Sequence, residues 1–123
     1  DNDVLLLGEN DSERITKLYT NDGTGNFTEV SNTPFEGVTS GSVAFSDVDG
    51  DGDEDVLIAG ANNSFDRITK LYNNDGTGTF TEVLGTSFEQ VYDTSIAFSD
   101  VDGDGDEDVL IAGRVSGLKG STN

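Results

Sequence analysis

Short apolar runs, separated by polar and glycine-rich segments, recur along the 123 residues of this chain. The run DVLIAG (55–60) is apolar after its first residue, which is typical of a strand buried on both faces. The run RITKLY (67–72) mixes apolar and charged positions and predicts a half-exposed strand. No segment has helical periodicity over a useful length. The pattern therefore predicts an all-β protein.

These runs belong to an internal repeat. RITKLYTNDGTGNFTEV at 14–30 aligns with RITKLYNNDGTGTFTEV at 67–83, an offset of 53 residues. VAFSDVDGDGDEDVLIAG at 43–60 aligns with IAFSDVDGDGDEDVLIAG at 96–113, again with an offset of 53. The opening DNDVLLLG matches DEDVLIAG with an offset of 52. The chain therefore shows a unit of about 53 residues a little over twice.

Each unit predicts four short antiparallel strands, A to D. Strand A is SVAF (42–45) or SIAF (95–98), strand B is DVLIAG, strand C is RITKLY, and strand D is FTEV (27–30 and 80–83). An Asp-Gly pair between strands C and D predicts a tight hairpin. Four-stranded units at this spacing favour the blades of a β-propeller over a sandwich or barrel of the same strands.

The repeat also predicts how the chain is divided. We expect a partial blade with strands B, C and D plus a link at 1–40, a complete blade with its link at 41–94, and strands A and B with a tail at 95–123. Because a closed propeller needs about four blades, we predict a partial propeller. Further blades are expected from the same longer chain or from other copies.

Charge adds to this picture. Six Lys and Arg against 25 Asp and Glu give a formal charge of −19, a field that disfavours nucleic acid and anionic lipid surfaces. No apolar run approaches the ~20 residues of a membrane helix, so membrane insertion is not expected. The chain has no Cys and no His, which excludes thiolate and imidazole as metal ligands or nucleophiles.

The acidic residues concentrate between strands A and B. Six carboxylates occupy nine positions at 47–55, and the same letters return at 100–108. Their alternation, with Gly at the sixth position, resembles the start of an EF-hand loop, in which alternate oxygens converge on Ca²⁺. The EF-hand itself does not fit, because Ile58 or Ile111 stands where its bidentate Glu should be and the flanks predict strands.

The alternating carboxylates favour Ca²⁺ over Mg²⁺, because Mg²⁺ prefers fewer protein ligands. Mn²⁺ is a further alternative. The alternative is a solvated acidic turn that binds no metal. The predicted ligands of the first loop are Asp47, Asp49, Asp51, Asp53 and Asp55, and those of the second are Asp100, Asp102, Asp104, Asp106 and Asp108. Asp53 and Asp106 are expected to contribute their backbone carbonyls. A weaker, truncated site is predicted at Asp1 and Asp3.

An Asp loop between FSDVDGDG and DVLIAG resembles the FG-GAP or VCBS-type repeat, also seen in the calcium-binding blades of integrin α-subunit propellers. LYNNDGTGTFTEV (71–83) is similar to the VCBS-type form of secreted bacterial proteins. The resemblance covers essentially the whole chain and implies a propeller of about seven blades, with calcium held between strands A and B. AF replaces the FG dipeptide, and AGA or AGR replaces GAP, which favours the bacterial branch.

Together these features predict a non-catalytic, calcium-binding scaffold in a secreted or cell-surface protein, serving adhesion or recognition of a protein or glycan ligand. The alternatives are a carbohydrate-binding propeller and the accessory propeller of a secreted enzyme. Candidate sugar-stacking faces are Tyr19, Phe65, Tyr72, Phe88 and Tyr92, although blade packing explains Tyr19 and Tyr72 better. We do not predict an enzyme, because Asp53 and Asp55 have the spacing of metal ligands rather than that of a glycosidase pair.

Overall fold

The computed structural model describes residues 2–115, which form β-strands and no helix. The strands are β1 (Val4–Glu9), β2 (Arg14–Asn21), β3 (Phe27–Glu29), β4 (Thr39–Ser46), β5 (Asp55–Ala61), β6 (Arg67–Asn74), β7 (Phe80–Glu82), β8 (Tyr92–Ser99) and β9 (Asp108–Arg114). Within this part of the chain, no helix is long and apolar enough to cross a membrane. Most of the predicted tail, 116–123, lies outside the described residues.

The strands form three antiparallel sheets in the order of the repeats. The first contains β1-β2-β3, the second β4-β5-β6-β7 and the third β8-β9. The all-β prediction is therefore confirmed, and the sheets are consistent with propeller blades. Over the described residues they do not close a ring.

Equivalent strands pair in the same register, as expected for repeats. Val4 lies opposite Tyr19 in the first sheet, and Val56 lies opposite Tyr72 in the second. The predicted C–D hairpins also match: the Asp22 N–H donates to the Asn26 carbonyl and the Asp75 N–H to the Thr79 carbonyl, each over 3.1 Å. The repeated sequence thus produces repeated backbone geometry.

Strand A is longer than predicted. β4 begins at Thr39 and β8 at Tyr92, three residues before the predicted starts of strand A. Each strand contains a register shift in this added segment, where Ser40 and Asp93 both have a φ of 52°. A bulge interrupts the alternation of side chains, so the apolar pattern alone does not show that the strand continues.

The core centres on the second sheet. Residues 55–60 of β5 are all buried, as predicted for strand B, and Val56 and Ile58 belong to the core cluster. The link before β4 supplies Phe35, whose ring centroid lies 5.0 Å from those of Tyr72 and Phe80. Strand B is not buried on both faces in the outer sheets: β1 and β9 keep exposed positions, because within residues 2–115 each has a neighbouring sheet on one side only.

Candidate metal centre

The first acidic loop connects the end of β4 to the start of β5 and curls around one carboxylate. Asp47 Oδ1 accepts the N–H groups of Gly50 (2.8 Å) and Asp51 (3.1 Å), and its Oδ2 accepts that of Gly52 (2.8 Å). Gly52 has a φ of 93°, a conformation that glycine adopts without steric cost. The glycine at the sixth position thus lets the chain turn its N–H groups toward Asp47.

Asp55 closes the loop from the start of β5, with only 1% of its surface exposed. Its Oδ2 accepts the Val48 N–H over 3.0 Å, and its Oδ1 accepts the Asn74 N–H from β6 over 2.8 Å. The side-chain amide of Asn74 also donates, through Nδ2, to the Glu54 backbone carbonyl over 3.0 Å. The end of strand C therefore packs against the loop and fixes its last carboxylate.

Three carboxylates converge in each loop. Asp47, Asp49 and Asp55 each offer one oxygen, and these oxygens lie within 4.8 Å of one another. The equivalent group of the second loop is Asp100, Asp102 and Asp108. Because Ca²⁺–oxygen distances are about 2.3–2.6 Å, oxygens on opposite sides of one ion lie about 5 Å apart. Clusters of this size could hold a metal ion.

The other predicted ligands lie outside these clusters. Asp51 Oδ1 accepts the Asp53 N–H and Asp104 Oδ1 that of Asp106, each over 2.9 Å. The carbonyl ligation proposed for Asp53 and Asp106 stays a prediction. Of the truncated site, Asp1 is outside the described residues, while Asp3 Oδ1 accepts the Asn21 N–H over 2.9 Å.

No protein cation balances the loop charge in the described structure, since each ion pair there uses a carboxylate outside both loops. The Gly52 N–H, together with those of Gly50 and Asp51, lowers the pKa of Asp47. At Asp51, the Asp53 N–H lowers the pKa, but partial desolvation and the neighbouring Asp49 outweigh it, so the net pKa is raised. The loop thus holds crowded negative charge.

The donor set fits a hard divalent cation. All three converging groups are carboxylates, and oxygen donors are what Ca²⁺ and Mg²⁺ prefer. Ser46 lies opposite Asp55 in the strand pair, and its buried hydroxyl has no partner in the described residues. The residues therefore bring negative charge and oxygen donors together at one place.

Comparison with known families agrees with this geometry. The FG-GAP-like repeat profile matches residues 1–58 and 47–111. The chain belongs to the FG-GAP-like repeat family. Both FG-GAP-like matches end at equivalent positions of strand B, Ile58 and Ile111. No curated protein and no solved structure matches the chain. Assignment to a bacterial, secreted branch of the FG-GAP-like proteins stays a prediction.

One residue of this FG-GAP-like site was not predicted. In the orientation that satisfies both of its polar atoms, the Asn73 amide nitrogen donates to Asp49 Oδ2 and Asp55 Oδ1, each over 3.0 Å. Asn73 lies near the end of β6, where the first repeat has Thr20. The change from Thr20 to Asn73 between near-identical strands is the only sequence feature that points to this residue. Its contact with a loop some 20 residues away becomes visible only when the strand pairing is known.

The aromatic candidates of the FG-GAP-like repeats lie in three different settings. Tyr72 is 1% exposed and packs edge-on against Phe35, so it is a core residue. Tyr19 and Phe88 are half-buried. Phe65 and Tyr92 line a groove of about 290 Å³ at the opposite end of the strands from the first acidic loop. Phe65 and Tyr92 therefore share one groove.

Proposed function

We propose that this chain is a non-catalytic, calcium-binding propeller segment of a secreted or cell-surface protein, which serves as a recognition scaffold. The observation that carries the proposal is the convergence of three carboxylates in each of two identical loops. Such a cluster repels itself unless a cation joins it, because like charges a few ångströms apart disfavour ionisation of both.

Asp47, Asp49 and Asp55 would hold one ion, and Asp100, Asp102 and Asp108 the other, with Asp51, Asp104 and the carbonyls of Asp53 and Asp106 as further ligands. The bound ion would supply positive charge that joins the end of strand A to the start of strand B. Since the residues before the loop and after it belong to paired strands, this charge would stabilise the corner of the blade. The proposed role of the metal is therefore structural.

Calcium is favoured among hard cations because it accepts six to eight oxygens in flexible arrangements, while Mg²⁺ requires a small octahedral site and keeps much of its water. A loop with several exposed carboxylates therefore suits Ca²⁺ better than Mg²⁺. Sites of modest affinity fill outside the cell, where Kd values of about 10⁻⁴–10⁻³ M suffice. This supports the proposed extracellular location.

A carbohydrate-binding role is a second candidate, and one observation favours it. Phe65 is 78% exposed and lines the same groove as Tyr92, Arg14 and Arg67. The Arg14 guanidinium lies over one face of the Phe65 ring, 4.5 Å from its centroid, and aromatic side chains beside hydrogen-bond donors suit a sugar ring. Loss of glycan-array binding in Tyr92→Ala, with full binding retained by Tyr19→Ala, would support this role; no binding by the unmodified chain would reject it.

The proposed calcium role is tested by thermal unfolding in Ca²⁺, in Mg²⁺ at equal ionic strength, and in EGTA. A ligand that binds only the folded state adds about 2.7 kcal/mol per site at 100-fold saturation, so we expect a clear rise in Tm in Ca²⁺. A variant with Asp47→Asn and Asp100→Asn should lose most of that rise. Equal Tm values in Ca²⁺ and EGTA would contradict the proposal.

A further inference from the structure

Two serine side chains of β4, Ser42 and Ser46, have buried hydroxyl oxygens without a hydrogen-bond partner among the described residues. Ser46 is the more enclosed of the two, with only 4% of its surface exposed. A buried hydroxyl that makes no hydrogen bond costs free energy, so such a group in a folded protein calls for an explanation. The positions of the two serines relative to the first acidic loop distinguish them.

Ser46 is the last residue of β4 and lies directly opposite Asp55 in the strand pair. Side chains of directly opposed residues lie on the same face of a sheet, with Cβ atoms about 4.5–5.5 Å apart. Asp55 contributes one of the three converging carboxylates of the first loop. The Ser46 hydroxyl therefore lies next to that cluster, whereas Ser42 lies opposite Ala59, further along the strands from the loop.

The burial of Ser46 comes from strands within the described part of the chain. Phe45 lines a cleft between the first and second sheets, and successive side chains of a strand point to opposite faces. Ser46 therefore points to the other face, where β8 packs against β4 and the Thr94 hydroxyl donates to the Ala59 carbonyl over 3.4 Å. The acidic cluster is thus open to solvent at Asp49 and closed on the side of Ser46.

We propose that the Ser46 hydroxyl oxygen is a further ligand of the cation in the first loop, on the buried side of that cation. This inference rests on the proposed calcium-binding function. Ca²⁺ accepts six to eight oxygen ligands, neutral as well as charged, so a hydroxyl oxygen joins the carboxylates without adding to their repulsion. The ion gives the buried oxygen a partner. An additional protein oxygen also favours Ca²⁺ over Mg²⁺, which keeps several of its waters.

The chain contains two matched controls for Ser46. Ser99 lies opposite Asp108 in the same register of the second loop, but its side chain is exposed. Because water competes there for the same place on the ion, the Ser99 hydroxyl should contribute less to its site. Ser42 is the control for burial, since its hydroxyl is also unpartnered but lies away from the carboxylates.

The first test measures calcium affinity in the full chain by NMR, using the amide signals of Gly52 for the first loop and Gly105 for the second. Ser46→Ala should weaken calcium binding at the first loop about tenfold, which is typical when a group that supports a metal site is removed. The second loop should keep its affinity in this variant. Ser99→Ala should weaken the second loop by less, and Ser42→Ala should leave both affinities unchanged.

The Tm of the same variants separates ligation from packing. In EDTA, Ser46→Ala removes an unpartnered buried hydroxyl, so its Tm should equal or exceed that of the unmodified chain. The rise in Tm on adding Ca²⁺ should be smaller in Ser46→Ala, while Ser42→Ala should show the full rise. A lower Tm in EDTA together with a full calcium-induced rise would assign Ser46 a packing role and overturn the proposal.

A thiol at the same position tests whether the side chain reaches the ion. The chain has no Cys and no Met, so Ser46→Cys introduces its only sulfur, a ligand that suits soft metals and not Ca²⁺. On binding Cd²⁺, the introduced thiol should release its proton and produce sulfur-to-metal charge-transfer absorption in the ultraviolet. Ser42→Cys should produce none. Amide spectra like those of the unmodified chain would establish that each variant is folded.

Unchanged calcium affinity in Ser46→Ala, equal losses in Ser46→Ala and Ser42→Ala, or no charge-transfer absorption in folded Ser46→Cys would each overturn the proposal. If the unmodified chain still binds calcium, any of these results rejects the role of Ser46 alone. If calcium shifts no amide signal and leaves the Tm of the unmodified chain unchanged, the proposed calcium role itself is rejected. The two failures are therefore distinguishable.

Discussion

Two loops with the same sequence, 46–60 and 99–113, lie in different surroundings. Their internal hydrogen bonds are the same: Gly52 N–H to Asp47 Oδ2 and Gly105 N–H to Asp100 Oδ2 each measure 2.8 Å. Their last carboxylates differ, since Asp55 is 1% exposed while Asp108 is half-buried. The comparison shows that the loop sequence determines the loop conformation, while its surroundings determine how deeply the site is buried.

The difference comes from strand C. β6 brings the Asn74 N–H to Asp55 and the Asn73 amide to Asp49 and Asp55. Within residues 2–115, β9 pairs only with β8, so no described strand C lies beside Asp108. Fixed donors and lower polarity strengthen electrostatic interactions. We therefore expect the first loop to be the tighter cation site in this chain.

The largest expected difference lies in the last carboxylate of each loop. Asp55→Ala leaves the part-buried N–H groups of Val48 and Asn74 without their acceptor, each at the lower part of the range of about 1–3 kcal/mol for an unsatisfied buried group. We expect a loss of about 3 kcal/mol in the free energy of unfolding for Asp55→Ala. We expect about 1 kcal/mol for Asp108→Ala, because among residues 2–115 the Asp108 side chain accepts only the Val101 N–H. Urea unfolding in EDTA measures both losses. Equal losses would contradict the expected difference between the two loops.

A smaller effect is expected at Asn73. Groups that hold metal ligands in place typically contribute tenfold or more to metal affinity, so Asn73→Ala should weaken calcium binding at the first loop about tenfold. The second loop serves as the internal control and should keep its affinity. Calorimetric titration resolves the two steps, and an unchanged first step would show that Asn73 does not support the site.

Substitution of the sixth residue should affect both loops alike. Gly52 and Gly105 have φ values of 93° and 94°, and an added Cβ would meet no atom within 4 Å at either position. Gly52→Ala and Gly105→Ala should therefore each cost about 1–2 kcal/mol, from backbone strain alone. Urea unfolding of the two variants provides the measurement. A cost clearly greater at Gly52 would mean that the loop conformation depends on its surroundings after all.

The smallest effect concerns the two C–D hairpins. Hydrogen bonds from Thr24, with further bonds from Asn26, lower the pKa of Asp22 to about 2. Thr79 stands in the place of Asn26 in the second hairpin. Asn26→Thr should raise the pKa of Asp22 toward the ordinary aspartate value of 3.8, which an NMR titration of the carboxyl carbon would detect.

The lowered pKa of Asp22 also predicts how the stability of the fold depends on pH. A lowered pKa stabilises the fold above the unfolded pKa, and this stabilisation is lost as the pH falls from about 4 to about 2. The Asn26→Thr variant should lose stability at a slightly higher pH than the unmodified chain. An identical acid profile would mean that the Asn26 side chain has no effect on Asp22.

Much of the fold was predictable because it is local and repeated. The DVLIAG run, the Asp-Gly hairpins and the offset of 53 residues indicated the strands and their order. The bulge at Ser40 was missed, since a register shift leaves no alternation to detect. Asn73 was missed because its contact with Asp49 requires β5 and β6 to be paired first, and no pattern within the loop contains that information.

The most direct test of the account follows the Gly52 and Gly105 amide signals by NMR during a calcium titration, because each donates to the first carboxylate of its own loop. We predict that both signals shift, and that Gly52 reaches saturation at a lower calcium concentration than Gly105. Mg²⁺ at the same concentrations should shift them less. Two signals that stay unmoved at millimolar calcium, or that move together along one curve, would contradict the proposal of two unequal calcium sites built from one sequence.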